Sequence, residues 1–147
     1  FERAARAGLA SAQCSLGMLH MTGQGAARDD ARAAHWLRLA ARSGASAGVA
    51  TACNQYGRLL QEGRGVAADP VQAAELFQQA AAQGDTNGMV NLGAACLVGR
   101  GVPLDLVRAR RLLQRAAASG DTDALGLLAV IDSQQSAALV DDETPKA

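Results

Sequence analysis

Apolar residues recur along this chain at the spacing of an α-helix, and the same pattern occurs three times. In residues 33–41 they fall at positions i, i+3, i+4, i+7 and i+8, which lie on one face of a helix. The pattern returns at 73–81 and 109–117. A shorter segment with helical spacing precedes each of these, centred on a glycine: Gly17, Gly57 and Gly93. The pattern therefore predicts three pairs of helices.

The three central glycines lie inside predicted helices, where glycine is unfavourable. Each costs about 1 kcal/mol relative to alanine because glycine loses more backbone freedom on folding. We therefore predict that the partner helix of each pair comes too close at this point to leave space for a side chain.

Each predicted pair has a Gly-x-Gly turn between its two helices: Gly23 and Gly25, Gly63 and Gly65, Gly99 and Gly101. An aspartate stands four residues after each second glycine: Asp29, Asp69 and Asp105. Glycine adopts the positive φ with which many helices end, and an aspartate side chain accepts hydrogen bonds from free N–H groups at a helix start. We therefore predict that these nine residues are structural turns and helix caps.

A glycine-rich turn before a helix could instead bind phosphate. The segment Gly63-Arg64-Gly65 is not followed by the Lys-Ser or Lys-Thr pair of a phosphate-binding loop, and it lacks the third glycine of a dinucleotide motif. Its recurrence at intervals of 40 and 36 residues is typical of stacked structural repeats. No cofactor is predicted.

The repeats form one predicted domain, residues 1–140. Its parts are the end of a preceding repeat (1–8), three repeats (9–44, 45–84 and 85–120) and a degenerate capping helix (121–140). Residues 141–147 are predicted to be a disordered acidic tail. In the capping helix, three apolar residues are predicted to cover the end of the stack: Leu125, Leu128 and Ile131.

Charge and composition narrow the possible functions. The 147 residues are 49% hydrophobic, with 14 basic and 14 acidic residues and a formal net charge of zero. Because nucleic-acid-binding domains usually carry an excess of Lys and Arg, no nucleic-acid partner is predicted. No apolar run approaches the roughly 18 residues of a membrane-spanning helix, so direct membrane insertion is not predicted either.

Few side chains offer reactive chemistry. Cys14, Cys53 and Cys96 occupy different positions in their repeats, and we predict that they are small buried residues in the cytoplasm or another reducing compartment. His20 and His35 lack a nucleophile or acid partner at an instructive spacing, so packed or solvated roles are predicted. Neither a metal site nor a catalytic site is predicted, and a hydrolase-type enzyme is a remote alternative.

The order of the recurring residues resembles the unit of the Sel-one-like repeat family, a relative of the tetratricopeptide repeats. The resemblance covers about residues 1–131, and the second repeat carries it in these residues: Ala52, Tyr56, Gly57, Gly63, Gly65, Val66, Asp69, Ala73, Ala80, Ala81 and Gly84. The position of the family's second-helix tryptophan is occupied by Trp36, which is predicted to belong to the core. At one tyrosine position of the family this chain has His20, Leu60 and Cys96 instead.

The resemblance implies an all-α fold, a right-handed solenoid of antiparallel helical hairpins, and the function of a non-catalytic scaffold or adaptor for a protein or peptide partner. By analogy with tetratricopeptide arrays, the first helices would line a concave groove: Cys14, Met18, Met21, Asn54, Arg58, Gln61, Val90, Ala94 and Leu97. Apolar ends flanking Asn54 and Arg58 would accept a peptide with an acidic or carboxylate group at its centre. The alternative is a structural subunit or spacer of a larger assembly.

Overall fold

The computed structural model describes residues 2–25, 27–44, 46 and 48–143. These residues form eight α-helices and no β-strand: α1 (Glu2–Arg6), α2 (Ala10–Thr22), α3 (Asp30–Ala41), α4 (Val49–Glu62), α5 (Pro70–Ala82), α6 (Thr86–Val98), α7 (Leu106–Ala118) and α8 (Thr122–Glu143). The all-helical prediction is confirmed.

The helices pack as a row of hairpins. The pairs α2–α3, α4–α5 and α6–α7 make the closest packing, and each pair also packs against the next one along the chain. The helices α2, α4, α6 and α8, which we call the inner helices, also pack directly against one another. Open grooves separate the outer helices α1 from α3 and α3 from α5. The stack is therefore a solenoid that is narrower on the side of its inner helices.

The glycine in the middle of each inner helix brings the two helices of a hairpin together. A Cβ atom at Gly57 would lie 2.7 Å from Cε1 of Phe77, and a Cβ at Gly17 would lie 2.6 Å from Cγ of Leu37. Phe77 and Leu37 are fully buried. Because real Cβ atoms do not approach other heavy atoms this closely, only glycine fits there. Gly93 has the same relation to Leu113 in the third hairpin.

Aspartates and glycines mark the two sides of each interhelical turn. The side chains of the three aspartates accept the N–H group three residues later, at 3.0–3.1 Å: Asp29 from Arg32, Asp69 from Gln72 and Asp105 from Arg108. The inner helices end at glycines in the left-handed conformation: Gly23, Gly63 and Gly99, with φ of 75°, 68° and 71°. Each turn is thus closed by hydrogen bonds and backbone conformations of its own residues.

The second glycine of a turn also touches the neighbouring repeat. A Cβ at Gly65 would overlap the carbonyl group of Asp30, and a Cβ at Gly101 would overlap that of Pro70. Both carbonyls belong to the start of the outer helix in the preceding repeat. Gly25, the equivalent glycine in the first repeat, meets no such neighbour within 4 Å among the residues that the structure describes.

The arginine in the second and third turns strengthens this contact between repeats. Arg64 donates to both carboxylate oxygens of Asp30, with Nε–Oδ2 and Nη2–Oδ1 distances of 3.3 and 3.1 Å. Arg100 donates from Nη2 to the carbonyl oxygen of Gln61 at 2.9 Å. The first turn has Gln24 at this position.

The last helix departs from its predicted form at two points. α8 continues to Glu143, so the first three residues of the predicted acidic tail are helical, and residues 144–147 lie outside the described residues. Ile131 is fully buried and Leu128 packs partly against the core, but Leu125 is 56% exposed. The prediction that Leu125 covers the stack is therefore wrong.

The position of Leu125 in α8 corresponds to that of Cys53 in α4, and the surroundings of Cys53 explain why Leu125 is exposed. Its Sγ lies 3.9 Å from the carbonyl oxygen of Ala41 and 3.8 Å from Oε1 of Gln79, between the outer helix of the preceding repeat and that of its own repeat. In the described part of the chain, no outer helix follows α8. Leu125 therefore lacks one of the two helices that would bury it.

Candidate functional site

The nine residues predicted to line a groove are distributed over three inner helices. Cys14, Met18 and Met21 lie on α2, Asn54, Arg58 and Gln61 on α4, and Val90, Ala94 and Leu97 on α6. Cys14 and Asn54 are only 6% and 2% exposed, so their side chains offer little surface to a ligand. The other seven are half-buried. These seven make up the accessible part of the predicted groove.

A pocket of about 350 Å³ lies on the inner side and is shared by α4, α6 and α8. Seven residues line it, six of them polar: Asn54, Gln55, Arg58, Asn87, Val90, Asn91 and Asp123. We call this the inner pocket. It brings together three of the predicted residues, which are Asn54, Arg58 and Val90.

Hydrogen bonds inside the pocket join four of its side chains in two pairs. Nδ2 of Asn91 donates to Oδ1 of Asn54 at 2.6 Å, and Nη1 of Arg58 donates to Oε1 of Gln55 at 3.2 Å. The first bond joins α6 to α4, so it links two repeats as well as orienting the amides. Because each bond uses only part of the hydrogen-bonding capacity of these groups, donors and acceptors remain free to bind a ligand.

Four of the pocket residues were not predicted from the sequence: Gln55, Asn87, Asn91 and Asp123. They lie two or six positions before the central glycine of their helix, or before Ala129, which replaces it in α8. The first and second repeats have Ser11, Ser15 and Thr51 at such positions, which are therefore polar in every complete repeat. This recurrence is the signal that could have identified them.

The charges of the inner pocket have both signs. Arg58 on α4 lies at one side and Asp123 on α8 at the other. Arg58 forms no ion pair within the part of the chain that the structure describes, so its positive charge is free to meet an acidic ligand. Asp123 would repel such a group. The two charges therefore favour a ligand whose acidic group lies near α4 and away from α8.

The cysteines have the environment of structural residues. Cys14, Cys53 and Cys96 are free and buried, and burial raises the pKa of each thiol. Because the thiolate is the nucleophilic form, a raised pKa makes these side chains poor nucleophiles. Among the described residues, no group of three His, Cys, Asp or Glu side chains is arranged to hold a metal ion.

The two histidines and the tryptophan meet on the outer side of the solenoid. His35 is exposed and packs edge-on against Trp36, with ring centroids 5.2 Å apart. Trp36 is only partly buried, so the prediction that it belongs to the core needs correction: Leu37, its neighbour, fills that position. Nδ1 of His20 is buried and has no hydrogen-bond partner among the described residues. Such an unpaired group costs about 1–3 kcal/mol.

The stacked hairpins, their repeated turns and the polar inner surface define the class of protein as an α-helical repeat solenoid. None of the helices in the described ranges is both long and apolar enough to cross a membrane. The Sel1 repeat profile matches residues 10–44, 50–85 and 86–121, and the chain therefore belongs to the Sel1 repeat family. Proteins of this family are generally protein-interaction scaffolds.

Solved structures support the assignment. A protective antigen with an SLR fold from uropathogenic Escherichia coli is 33% identical, with a TM-score of 0.84 over 91% of this chain, which spans only 28% of the antigen. A Sel1 repeat protein from Oxalobacter formigenes is 31% identical, with a TM-score of 0.74 over 86% of this chain and 92% of its own. Comparison with curated proteins gave no match.

Cysteine rich protein B of Helicobacter pylori is similar in fold alone. It is 21% identical, with a TM-score of 0.66, and the similarity covers 86% of this chain and 92% of that protein. Together the comparisons confirm the resemblance and the solenoid fold that the sequence predicts.

Proposed function

We propose that this chain is a non-catalytic scaffold that binds an extended peptide segment of a partner protein on its inner surface. The observation that carries the proposal is the inner pocket, in which polar side chains of three successive inner helices point to one space. A segment that crosses the pocket would contact several repeats at once.

The side-chain amides explain why a peptide is the favoured ligand. Gln55, Asn87 and Asn91 each offer a carbonyl acceptor and an NH₂ donor, which is the combination that an extended peptide backbone presents. The bond between Asn91 and Asn54 holds one amide in place before binding, which reduces the entropy that binding costs. The pocket is therefore suited to bind the main chain of a peptide, independently of the side chains of that peptide.

The flanking residues supply the specificity. Arg58 would bind an acidic side chain or a terminal carboxylate of the peptide, as the sequence predicts. Half-buried Met18 and Met21 on α2 and Leu97 on α6 would contact apolar side chains on either side of it. Methionine adapts to irregular partners because its side chain is unbranched and flexible. The preferred peptide would thus be apolar at its ends and acidic in between.

Selection of peptides from a random display library on the wild-type protein would test this function. Arg58→Glu is expected to weaken the selected acidic peptides at least about tenfold, because a hydrogen bond to a charged group contributes roughly 1.5–3 kcal/mol. The matched control is Arg38→Glu, which makes the same charge change on the exposed side of α3 and should leave affinity unchanged. The proposal would be contradicted if the selection yielded no binding peptide, or if both variants weakened binding equally.

A structural subunit is the second candidate, and the surface of the last hairpin supports it. Val107 on α7 and Leu125 and Val130 on α8 are exposed apolar side chains near the end of the stack. Another solenoid or subunit could cover them. Size-exclusion chromatography with light scattering would show a concentration-dependent assembly that Leu125→Gln abolishes. A monomer at all concentrations would exclude self-assembly of this chain.

A further inference from the structure

The outer grooves of the solenoid have equivalent positions but different residues. The first outer groove is lined by Glu2 and Arg6 of α1, His20 of α2, and Arg32, His35 and Trp36 of α3. The next groove lies between α3 and α5. A shift of 40 residues relates α2 and α3 to α4 and α5, so that Arg32 corresponds to Gln72 and Trp36 to Leu76. On the other side of the grooves, Glu2 and Arg6 correspond by a shift of 36 residues to Arg38 and Arg42. The second groove therefore shows what an ordinary groove of this protein contains.

His20 is the largest departure from that ordinary groove. The equivalent residues in the next two repeats, Leu60 and Cys96, are buried apolar side chains of the core. His20 instead lines the groove, and its Nδ1 atom is buried without a hydrogen-bond partner in the described part of the chain. A buried polar atom normally has a partner. Because Nδ1 is buried, a ligand in the groove could supply this partner only after the His20 ring rotates to expose the atom.

Trp36 gives the groove a flat apolar wall. It is partly exposed, and the edge-on contact with His35 holds the two rings 71° apart. Leu76 at the equivalent position is buried and offers no comparable surface. Tryptophan combines a large contact area with few rotatable bonds, which makes it a common anchor for aromatic ligands.

The charges around this wall favour an anion. Two guanidinium groups and one carboxylate line the groove. Arg6 donates to Glu2 at 2.7 Å, and Nε of Arg32 lies 3.5 Å from Oδ2 of Asp29. A guanidinium has five N–H donors, so each arginine keeps donors free for a second carboxylate.

We infer that the first outer groove binds a carboxylate attached to a flat aromatic body. The aromatic body would lie against Trp36, and Arg6 and Arg32 would bind the carboxylate. His20, after a rotation of its ring that exposes Nδ1, would donate Nδ1–H to the same group. The groove has a volume of about 390 Å³, within the range of small-molecule sites. The carboxylate could come from the C-terminal aromatic residue of a peptide or from a free arylalkanoic acid. This site is separate from the inner pocket.

Trp36 is the single tryptophan of the chain, so its fluorescence reports on this groove alone. The protein would be titrated with 3-phenylpropanoate and with acetyl-glycyl-phenylalanine, and the amide of each compound would serve as the matched uncharged control. At least one of the acids should give a saturable emission change with a Kd of about 1 mM or lower, and the amides should bind at least tenfold more weakly. Binding by the free acid alone or by the peptide alone identifies which source the groove accepts.

Two single substitutions would each replace a residue of the first outer groove by its equivalent from the second repeat. His20→Leu and Arg32→Gln place the residues of the second repeat in the first, and each should weaken binding at least about tenfold. His20→Leu inserts an apolar residue where the other repeats have one, so folding should be retained, as thermal unfolding would verify. The inference is overturned if neither acid saturates, if the amides bind as tightly, or if both variants keep the wild-type affinity.

Discussion

The first and second repeats have the same sequence pattern, but their equivalent residues make different contacts. Gly65 lies against the carbonyl of Asp30 in the preceding repeat, whereas a Cβ at Gly25 would meet no atom of another described repeat within 4 Å. Leu60 is buried in the core, whereas His20, at the same position, has a buried nitrogen without a partner in the described ranges. The repeat sequence therefore sets the local conformation, and the neighbouring repeat sets how much each residue contributes to stability.

This difference is expected for a solenoid. Each repeat contacts only its neighbours along the stack, so stability is approximately a sum of terms for single repeats and terms for the interfaces between them. Gly25, with its positive φ of 75°, contributes to the stability of its own repeat. Gly65, with a φ of 71°, contributes both to its own repeat and to the interface with the preceding one. Substitutions at the two glycines can separate the terms.

The largest effect is expected for Gly65→Ala. Alanine at a positive φ costs about 1–2 kcal/mol, and the overlap of its Cβ with the Asp30 carbonyl should add about 1–3 kcal/mol because the backbone must move. We expect a loss of roughly 3 kcal/mol in the free energy of unfolding, measured by urea denaturation with circular dichroism.

Gly25→Ala is the matched control for this substitution. It introduces the same side chain at nearly the same φ but in open space, so only the backbone cost of about 1–2 kcal/mol should appear. Equal losses in the two variants would show that the contact between the second turn and α3 does not stabilise the stack.

An intermediate effect of the opposite sign is expected for His20→Leu. The substitution removes a buried nitrogen that no described residue pairs with, and it inserts the residue that the second repeat has at this position. We expect the free energy of unfolding to rise by about 1 kcal/mol, at the low end of the cost of an unsatisfied buried group. His35→Gln, on the exposed side of α3, should change it by less than about 0.5 kcal/mol. A destabilised His20→Leu variant would show that this nitrogen has a partner in solution.

Much of the fold could be predicted because the residue pattern of one helical hairpin occurs three times in the sequence. The starts of α3, α5 and α7 follow from the aspartates before them, and the tight contact between Gly57 and Phe77 follows from a glycine that a helix would otherwise avoid. These features depend on local conformation and on the partner helix of the same hairpin. Both are repeated in the sequence, so one repeat supports the interpretation of the next.

The features that were missed depend on what surrounds a repeat. The exposure of Leu125 results from the lack of an outer helix after α8 in the described residues. The repeat pattern predicts a terminal capping helix, but it does not show which apolar residues of that helix depend on the missing neighbour. The inner pocket joins Gln55, Asn91 and Asp123 from three different helices. The sequence shows that they lie two or six positions before the central glycine of their helix, or before Ala129 in α8. It does not show that they surround a pocket, because this depends on how the inner helices pack.

The smallest effect is expected for Arg64→Gln, which removes the ion pair between the second turn and α3. The side chains of Arg64 and Asp30 are 29% and 24% exposed, so solvent screens the pair and its contribution should be about 0.5–1 kcal/mol. The hydrogen bonds from Arg64 hold the pKa of Asp30 below its ordinary value of 3.8. The stabilisation is therefore complete above that value and is lost as the pH falls through the lower pKa of the folded state.

Urea denaturation of wild type and variant over a series of acidic pH values measures this loss. The difference in the free energy of unfolding between wild type and Arg64→Gln should shrink as Asp30 becomes protonated, but a part of the pKa shift persists because Arg28 Nε also lies 3.6 Å from Asp30. Arg100→Gln is the control, because Arg100 donates to the carbonyl of Gln61, which does not titrate. If both differences change equally with pH, the carboxylate of Asp30 is not what the second turn binds.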